Sequence, residues 1–263
     1  MLQVFSVTLR GVFRDRVFQG ILIIAVVFLL IPSISSLSMR QVTELSITLS
    51  LSLISFILLL LAVFLGGTSL WKDIERRYTF SVMGLPVTRA SYVLGKFAGI
   101  SCFVLLTSVV LGMAATAVIR YSSGIYPAMR PIVWSNIYLA LLFDALKYIL
   151  LVAFAFLFST ISTSFFLPVF GAISVFLVGS ATQQVYDFIH TQAGQALPWY
   201  IKKIAPALYY VLPNFEAFDF KVNAIYGIAL SVPGVFYTTG YFLIYLFLVL
   251  AFTSSIFSRR ELQ

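Results

Sequence analysis

Residues 45–70, LSITLSLSLISFILLLLAVFLGGTSL, decide the fold of this chain. The stretch contains no charged side chain. A helix rises about 1.5 Å per residue, and about 20 apolar residues cross the hydrocarbon core of a bilayer. The stretch is therefore predicted to form a membrane-spanning helix.

Five further stretches have the same character, so the sequence predicts six spans. They are residues 17–37, 45–70, 93–119, 132–158, 165–185 and 235–257. Only 10% of the residues are charged, whereas soluble domains carry about 25%. The apolar runs are long and continuous, unlike the alternating strands of about ten residues that form outer-membrane barrels. The predicted fold class is an all-α membrane protein with six transmembrane helices.

The distribution of lysine and arginine predicts that both termini are cytoplasmic, because these residues accumulate in short cytoplasmic loops. With both ends inside, ten of them fall in cytoplasmic segments and six in external ones. The linker of residues 159–164 carries no charge, so its cytoplasmic placement depends only on the number of spans. The predicted location is the cytoplasmic (inner) membrane.

The net charge of +8 does not indicate nucleic acid as a partner. A membrane protein with this excess faces the anionic lipid of the cytoplasmic leaflet. Membrane lipid is therefore the expected partner of the basic groups, and no nucleic acid is expected.

Three segments outside the spans complete a single predicted membrane domain, residues 1–263. Residues 1–16 have an amphipathic pattern, which predicts an N-terminal helix lying in the membrane interface. Its apolar face holds Leu2, Phe5, Leu9, Val12 and Phe13, and its polar face holds Gln3, Ser6, Arg10 and Arg14. Residues 71–92 are predicted to be a cytoplasmic segment. Residues 186–234 are predicted to be external, with interfacial or re-entrant helices that are too short to cross.

No catalytic or metal-binding motif is recognisable. A P-loop requires an early glycine and a Ser or Thr after Gly-Lys, but Ala90 and Phe97 occupy these positions around Gly95-Lys96. His190 is the only histidine and has no acidic cluster at metal-ligand spacing. We therefore expect no catalytic residue, no cofactor site and no metal site in this chain.

Asp144 and Lys147 are two charges inside a predicted span. A single charge at the bilayer centre costs about 2.5 to 3.5 kcal/mol on insertion scales. Residues at i and i+3 share a helix face, so the two charges can neutralise each other. The pair is either a structural couple or part of a polar translocation path or proton relay.

The segment WKDIERRYTFSVMGLPVTRASYVLGK, residues 71–96, has its own organisation. Charged residues come first, and Gly84-Leu85-Pro86 then breaks any helix. Thr88 is predicted to cap a new helix that begins at Arg89 and continues into the third span. The segment is either a solvated loop that anchors topology or a docking surface for a cytoplasmic protein.

This pattern resembles the transmembrane subunits of exporter-class (type V) ABC transporters. It comprises an acidic residue, a threonine four positions on, a Pro-x-x-Arg turn and a lysine at the start of the next span. The matching positions are Glu75, Thr79, Pro86, Arg89 and Lys96. The six-span layout, the N-terminal "elbow" helix and the long external segment before the last span are also similar to that family.

The resemblance implies a permease that dimerises, as a homodimer or with a related chain, and forms the translocation path between protomers. It also implies a dimer of separate ABC-type ATPase subunits that bind ATP and Mg. The 71–92 segment would then act as a coupling helix. The residues predicted for the ATPase-coupling interface are Glu75, Arg76, Arg77, Thr79, Pro86 and Arg89.

Two other classes of function remain open at this point. One is a secondary transporter or channel that uses Asp144 and Lys147 directly, although neither inverted repeats nor broken midplane helices are recognisable. The other is a membrane anchor that recruits a cytoplasmic partner without transporting anything.

Overall fold

The computed structural model describes residues 2–14, 20, 31–37, 41–75, 88–126, 128, 130–192, 194 and 197–259. The described residues are 86% helical, and they contain no strand. The predicted all-α class is therefore confirmed for the described part of the chain.

The helices of the described residues are numbered in chain order. They are α1 (Leu2–Arg14), α2 (Ile31–Ser35), α3 (Val42–Leu61), α4 (Gly67–Glu75), α5 (Arg89–Ile125), α6 (Trp134–Ile161), α7 (Phe166–Ile189), α8 (Trp199–Val211), α9 (Lys221–Tyr226) and α10 (Val232–Arg259). A π-helical segment, Ala62–Gly66, joins α3 to α4, so Val42–Glu75 is one long helix.

Five helices of the described residues are long and apolar enough to cross a membrane: Val42–Glu75, α5, α6, α7 and α10. They correspond to the second to sixth predicted spans. The first predicted span, residues 17–37, lies largely outside the described residues, so the count of six stays a prediction.

Helix α6 is the centre of the bundle, whereas α7 and α10 lie at its edge. The side chains of Leu150, Leu151, Val152 and Ala153, one full helical turn, are completely buried. A helix that is apolar on all sides is expected to be surrounded by other helices. Helix α10 instead exposes large apolar side chains such as Phe247.

Two glycines allow the long helix Val42–Glu75 to approach α6 and α7 closely. A Cβ added at Gly66 would lie 3.2 Å from the Ala155 Cβ, and one at Gly67 would lie 3.2 Å from Val169. The Ser159 hydroxyl donates to the Gly67 carbonyl over 3.0 Å. The end of α6 is thereby joined to the helix just beyond its π segment.

The ends of several helices converge at one end of the bundle, here called the loop end because residues 75 and 89 flank the 76–87 segment there. Trp71 contacts Phe165 with ring centroids 5.6 Å apart. Arg89 donates to the Ser258 carbonyl over 2.9 Å. The 162–165 turn and the end of α10 therefore lie beside the two helices that flank the 76–87 segment.

The opposite end, here called the far end, joins the start of the long helix to the end of α5. The Thr43 hydroxyl donates to the Tyr126 carbonyl over 2.7 Å. Asn136 Nδ2 donates to the carbonyls of Asn223 and Ile228 over 3.1 and 2.8 Å. The start of α6 and the segment around α9 therefore also lie at the far end.

Helix α1 packs along α5 at the loop end, and its faces are only partly those that the sequence predicts. Val12 is buried and Gln3 and Arg10 are exposed, as predicted. Phe13, predicted for the apolar face, contacts Phe103 but is 46% exposed. A Cβ added at Gly99 would come within 3.0 Å of Thr8, so glycine is needed for this close approach. The helix is present as predicted, and its position in the membrane interface stays a prediction.

The segment between α7 and α10 contains the two short helices α8 and α9, as predicted for residues 186–234. The Phe215 N–H donates to the Gly179 carbonyl over 3.0 Å. Gly179 lies ten residues, about 15 Å, before the end of α7 at Ile189. The turn after α8 therefore reaches far along α7, which favours the re-entrant over the interfacial alternative.

Candidate functional site

A polar cluster at the loop end joins the two helices that flank the 76–87 segment. Lys96 forms an ion pair with Asp73 and donates to the Ser69 carbonyl over 2.6 Å. The Tyr92 hydroxyl also donates to Asp73. We call Asp73, Tyr92 and Lys96 the clasp. Because Lys96 is 95% buried, its charge depends on these partners.

The start of α5 is built as the sequence predicts. The Thr88 hydroxyl accepts a hydrogen bond from the Ser91 N–H over 3.2 Å. This bond satisfies one of the amide groups that a helix N-terminus leaves without an intrahelical partner. The cap fixes the point at which the chain re-enters the bundle, one residue before Arg89.

The predicted ATPase-coupling residues are described only in part. Glu75 is exposed at the end of α4, and Arg89 contacts the end of α10 through Ser258. Arg76, Arg77, Thr79 and Pro86 lie outside the described residues. The two described members flank the 76–87 segment at the same end of the bundle.

A second polar cluster surrounds Asp144 and Lys147 inside α6. Their ion pair measures 2.5 Å between Lys147 Nζ and Asp144 Oδ1, and both residues are at least 95% buried. The Ser55 hydroxyl donates to Asp144 over 3.0 Å and lies 2.7 Å from the Tyr148 hydroxyl. We call these four residues the buried network. It ties α6 to the long helix Val42–Glu75.

The two clusters share one element. Ser55 and Asp73 belong to the same long helix, on opposite sides of its π segment. π-helical segments inside α-helices are frequent at functional sites and mark places where the helix is not uniform. The long helix therefore connects the clasp to the buried network through its π segment.

Sequence analysis did not single out Asp73. A sequence feature could have indicated it, because Asp73 and Lys96 carry opposite charges on either side of one connection. Asp73 lies near the end of α4, and Lys96 lies about two helical turns after the start of α5. Antiparallel helices joined by a loop bring such positions together, so the pair was predictable in principle.

No catalytic arrangement is evident in the described residues. No group of three or more His, Cys, Asp or Glu there is placed to hold a metal ion. His190 Nδ1 lies 2.7 Å from the Tyr186 carbonyl, and Asp187 accepts hydrogen bonds from Gln183 instead. The arrangement joins helices to one another.

These features define a multi-pass helical membrane protein whose polar groups connect its helices at two depths. The sequence matches the family model described as "ABC-2 family transporter protein" over residues 10–262. Because the match covers almost the whole chain, the protein belongs to the ABC-2 transporter family. No individual curated protein matches the sequence.

The family places the chain among ABC transporter permeases, the membrane subunits of these transporters. Such permeases carry no nucleotide-binding domain and normally pair with an ABC ATPase subunit. The resemblance stated from Glu75, Thr79, Pro86, Arg89 and Lys96 is thereby confirmed at the level of the ABC permease.

Proposed function

We propose that this chain is the membrane-spanning subunit of an ATP-driven exporter of the type V class. Two copies, or one copy and a related chain, form the translocation path between them. Separate ATPase subunits bind ATP and Mg and hydrolyse the ATP. The chain lies in the cytoplasmic membrane with both termini in the cytoplasm.

The observation that carries the proposal is the convergence of helix ends at the loop end. The clasp ties α4 to α5, and Arg89 ties α5 to the end of α10. A force applied to the 76–87 segment is therefore delivered to three spanning helices at once. This is the arrangement that a coupling segment between an ATPase and a permease requires.

The tertiary structure also supports an even number of spans. Helix α1 lies at the loop end, and Val42, where the next long helix begins, lies at the far end. The first predicted span, residues 17–37, lies between these two points in the sequence. We propose that it crosses once, which together with the five candidate spans of the described residues gives six.

The burial of Asp144 and Lys147 favours a structural role over the secondary-transporter alternative. Both residues are at least 95% buried, and the carboxylate is engaged by Lys147 and Ser55. A group that binds an ion or proton in transit has to be reached from water. We therefore assign the pair to positioning α6 against the long helix.

The coupling role is tested with a triple glutamine variant of Glu75, Arg76 and Arg77. Lys72, Arg89 and Lys96 remain to hold this segment on the cytoplasmic side of the membrane. The variant should reach the membrane in normal amount but lose the copurifying ATPase, or retain it with transport uncoupled from hydrolysis. Charged groups desolvated at an interface can cost about 2 to 5 kcal/mol when a partner is removed.

A matched control is the triple glutamine variant of Glu216, Lys202 and Lys203, which makes the same change in charge in the segment between α7 and α10. It should retain the copurifying ATPase. The wild-type chain alone should hydrolyse no ATP, whereas its complex with the ATPase should. Normal assembly and coupled transport in the Glu75/Arg76/Arg77 variant would remove these residues from the docking surface.

A further inference from the structure

A cavity lined by tyrosines opens between α8, the turn that follows it and α10. Its volume is about 350 Å³. Its walls are formed by Tyr209, Tyr210, Asn214, Ala217, Tyr237, Thr238, Tyr241 and Tyr245. Five of these eight residues are tyrosines, and the set contains no charged side chain.

The tyrosines of α10 form a continuous wall. Tyr237, Tyr241 and Tyr245 are spaced four residues apart and therefore share one helix face. They extend over about 12 Å along the axis. The rings of Tyr241 and Tyr245 lie 4.6 Å apart between centroids. The aromatic belt of a membrane protein lies at the depth of the lipid headgroups. The tyrosine wall is longer than the headgroup layer is thick, so a belt does not account for all three rings.

Hydrogen bonds fix the orientation of the deeper rings. The Tyr241 hydroxyl accepts from the Asn214 N–H over 2.8 Å, and the Tyr245 hydroxyl donates to the Tyr210 carbonyl over 3.2 Å. The Tyr209 hydroxyl donates to Gln183 Oε1 over 3.1 Å. These hydrogen bonds fix the positions of the three rings in the wall. One face of Tyr209 is covered by the Tyr186 ring, with centroids 4.4 Å apart.

The polar side chains of the wall are engaged in the same way. Asn214 Nδ2 donates to Gln183 Oε1 over 2.7 Å, and its Oδ1 accepts from the Glu216 and Ala217 amides. The Thr238 hydroxyl donates to the Ala217 carbonyl over 3.4 Å. A ligand that requires several directed hydrogen bonds, such as a sugar or a primary amine, finds these groups already used.

A hydrogen-bond network links the wall to a carboxylate. Gln183 Nε2 donates to both carboxylate oxygens of Asp187, over 3.0 and 3.1 Å, and Gln183 in turn contacts Tyr209 and Asn214. Glu216 follows Asn214 by two residues. Lys203 lies over the Trp199 ring at 5.6 Å, six residues before Tyr209. The hydrogen-bond network of the wall therefore ends on the Asp187 carboxylate, which favours a positive over a negative ligand.

We propose that this cavity binds a quaternary ammonium group. Such a cation spreads its charge over methyl groups and needs no hydrogen-bond acceptor, and tyrosine faces attract it through their negative π surface. The same group occurs in the choline headgroup of phospholipids and in soluble amphiphilic cations. The inference concerns binding alone and does not depend on the proposed function.

The test measures binding of radiolabelled choline to the full chain, purified in a maltoside detergent, by equilibrium dialysis. The competitor is the neutral isostere of choline in which carbon replaces the nitrogen. A desolvated cation–π contact strengthens binding by about tenfold or more. The neutral isostere lacks this contact and should therefore bind at least about tenfold more weakly than choline. Absence of choline binding, or equal binding of the isostere, would overturn the proposal.

Variants at the mouth of the cavity separate the ring from its hydroxyl. Tyr237 is 79% exposed, so its replacement is not expected to disturb folding. Tyr237→Leu should weaken choline binding by about three- to tenfold, whereas Tyr237→Phe should bind within about twofold of the wild type. Tyr121→Leu, at an exposed tyrosine of α5, is the matched control and should bind normally. Equal losses in the two Tyr237 variants, or in the control, would contradict recognition by the ring face.

The source of the ligand is decided in nanodiscs. Choline binding in phosphatidylglycerol discs that disappears in phosphatidylcholine discs would assign the cavity to a lipid headgroup. Choline binding in both would assign it to a soluble cation. Binding in neither would overturn the proposal.

Discussion

Asp144 and Lys147 show how a membrane-embedded helix tolerates two charges. Both are at least 95% buried, and the Ser55 hydroxyl adds a hydrogen bond to the carboxylate. Such a pair contributes little net stability, because desolvation of both charges offsets their attraction. Removal of one partner is strongly destabilising, because the remaining charge is then buried without a counter-charge.

Asp144→Asn and Lys147→Met should therefore each destabilise the protein more than the double variant does. Breaking a buried ion pair from one side costs about 3 to 5 kcal/mol. Thermal unfolding of the purified single and double variants in detergent measures the difference. Losses that simply add would show that the two residues do not interact. A stable double variant that no longer transports would contradict the structural assignment.

The ion pair of the clasp is more exposed than this pair, because the Asp73 side chain retains 26% of its accessible surface. Solvent therefore screens the attraction between Asp73 and Lys96, which lowers the contribution of this ion pair to stability. We interpret the clasp as a geometric constraint that fixes the spacing of α4 and α5 at the loop end. Tyr92 reinforces it, since its ring also stacks on Phe257 of α10 with centroids 6.2 Å apart.

At the scale of elements, the long helix Val42–Glu75 depends on close contact at its π segment. A methyl group at Gly66 would come within 3.3 Å of the backbone of Val152, which is itself fully buried. Because α6 is packed on all sides, it has little room to move away. The contact is therefore sensitive to the addition of a single carbon atom.

Gly66→Ala should destabilise the protein by about 1 to 3 kcal/mol, the usual cost of overpacking a core. Gly124→Ala in α5 is the matched control, because a Cβ there meets nothing within 4 Å. The control should be neutral or stabilising by up to about 1 kcal/mol, since alanine favours a helix over glycine. Thermal unfolding in detergent distinguishes the two, and equal effects would argue against tight packing at the π segment.

At the scale of the whole molecule, the loop end and the far end define which segments lie on the same side of a membrane. The 162–165 turn, the end of α10 and α1 all lie at the loop end, beside the residues that flank the 76–87 segment in the chain. The turn after α7 belongs to the other side. The 159–164 linker carries no charge, so the sequence assigned its side of the membrane only from the number of spans. In the structure Ser159 contacts Gly67, and Phe165, which follows the linker, contacts Trp71. The linker therefore lies at the loop end.

Reporter fusions should reproduce this division. A cytoplasmic reporter placed after Gln263 or inserted at Thr163 should be active, and an exported reporter should be active when inserted at Thr191. Activity of the exported reporter at Gln263 would overturn the six-span arrangement. The fusions also establish the orientation, because the bundle alone fixes only which segments share a side.

The sequence by itself determined the all-α membrane class, five of the spans, the short helices after α7 and the start of α5 at Arg89. These follow from local physics, namely apolar length, helical periodicity and a capping threonine. It also carried the ABC permease resemblance in the Glu75 to Lys96 pattern.

Only the tertiary structure brought Ser55 to Asp144 and the Tyr245 hydroxyl to the Tyr210 carbonyl. It also formed the contact of Asp73 with Lys96, which their positions on either side of one connection made predictable in principle. Each of these contacts joins residues far apart in the chain, and no local pattern encodes which helix faces meet. The clasp, the buried network and the tyrosine cavity arise because helix packing, through close contacts such as Gly66 on α6, fixes the register between neighbouring helices.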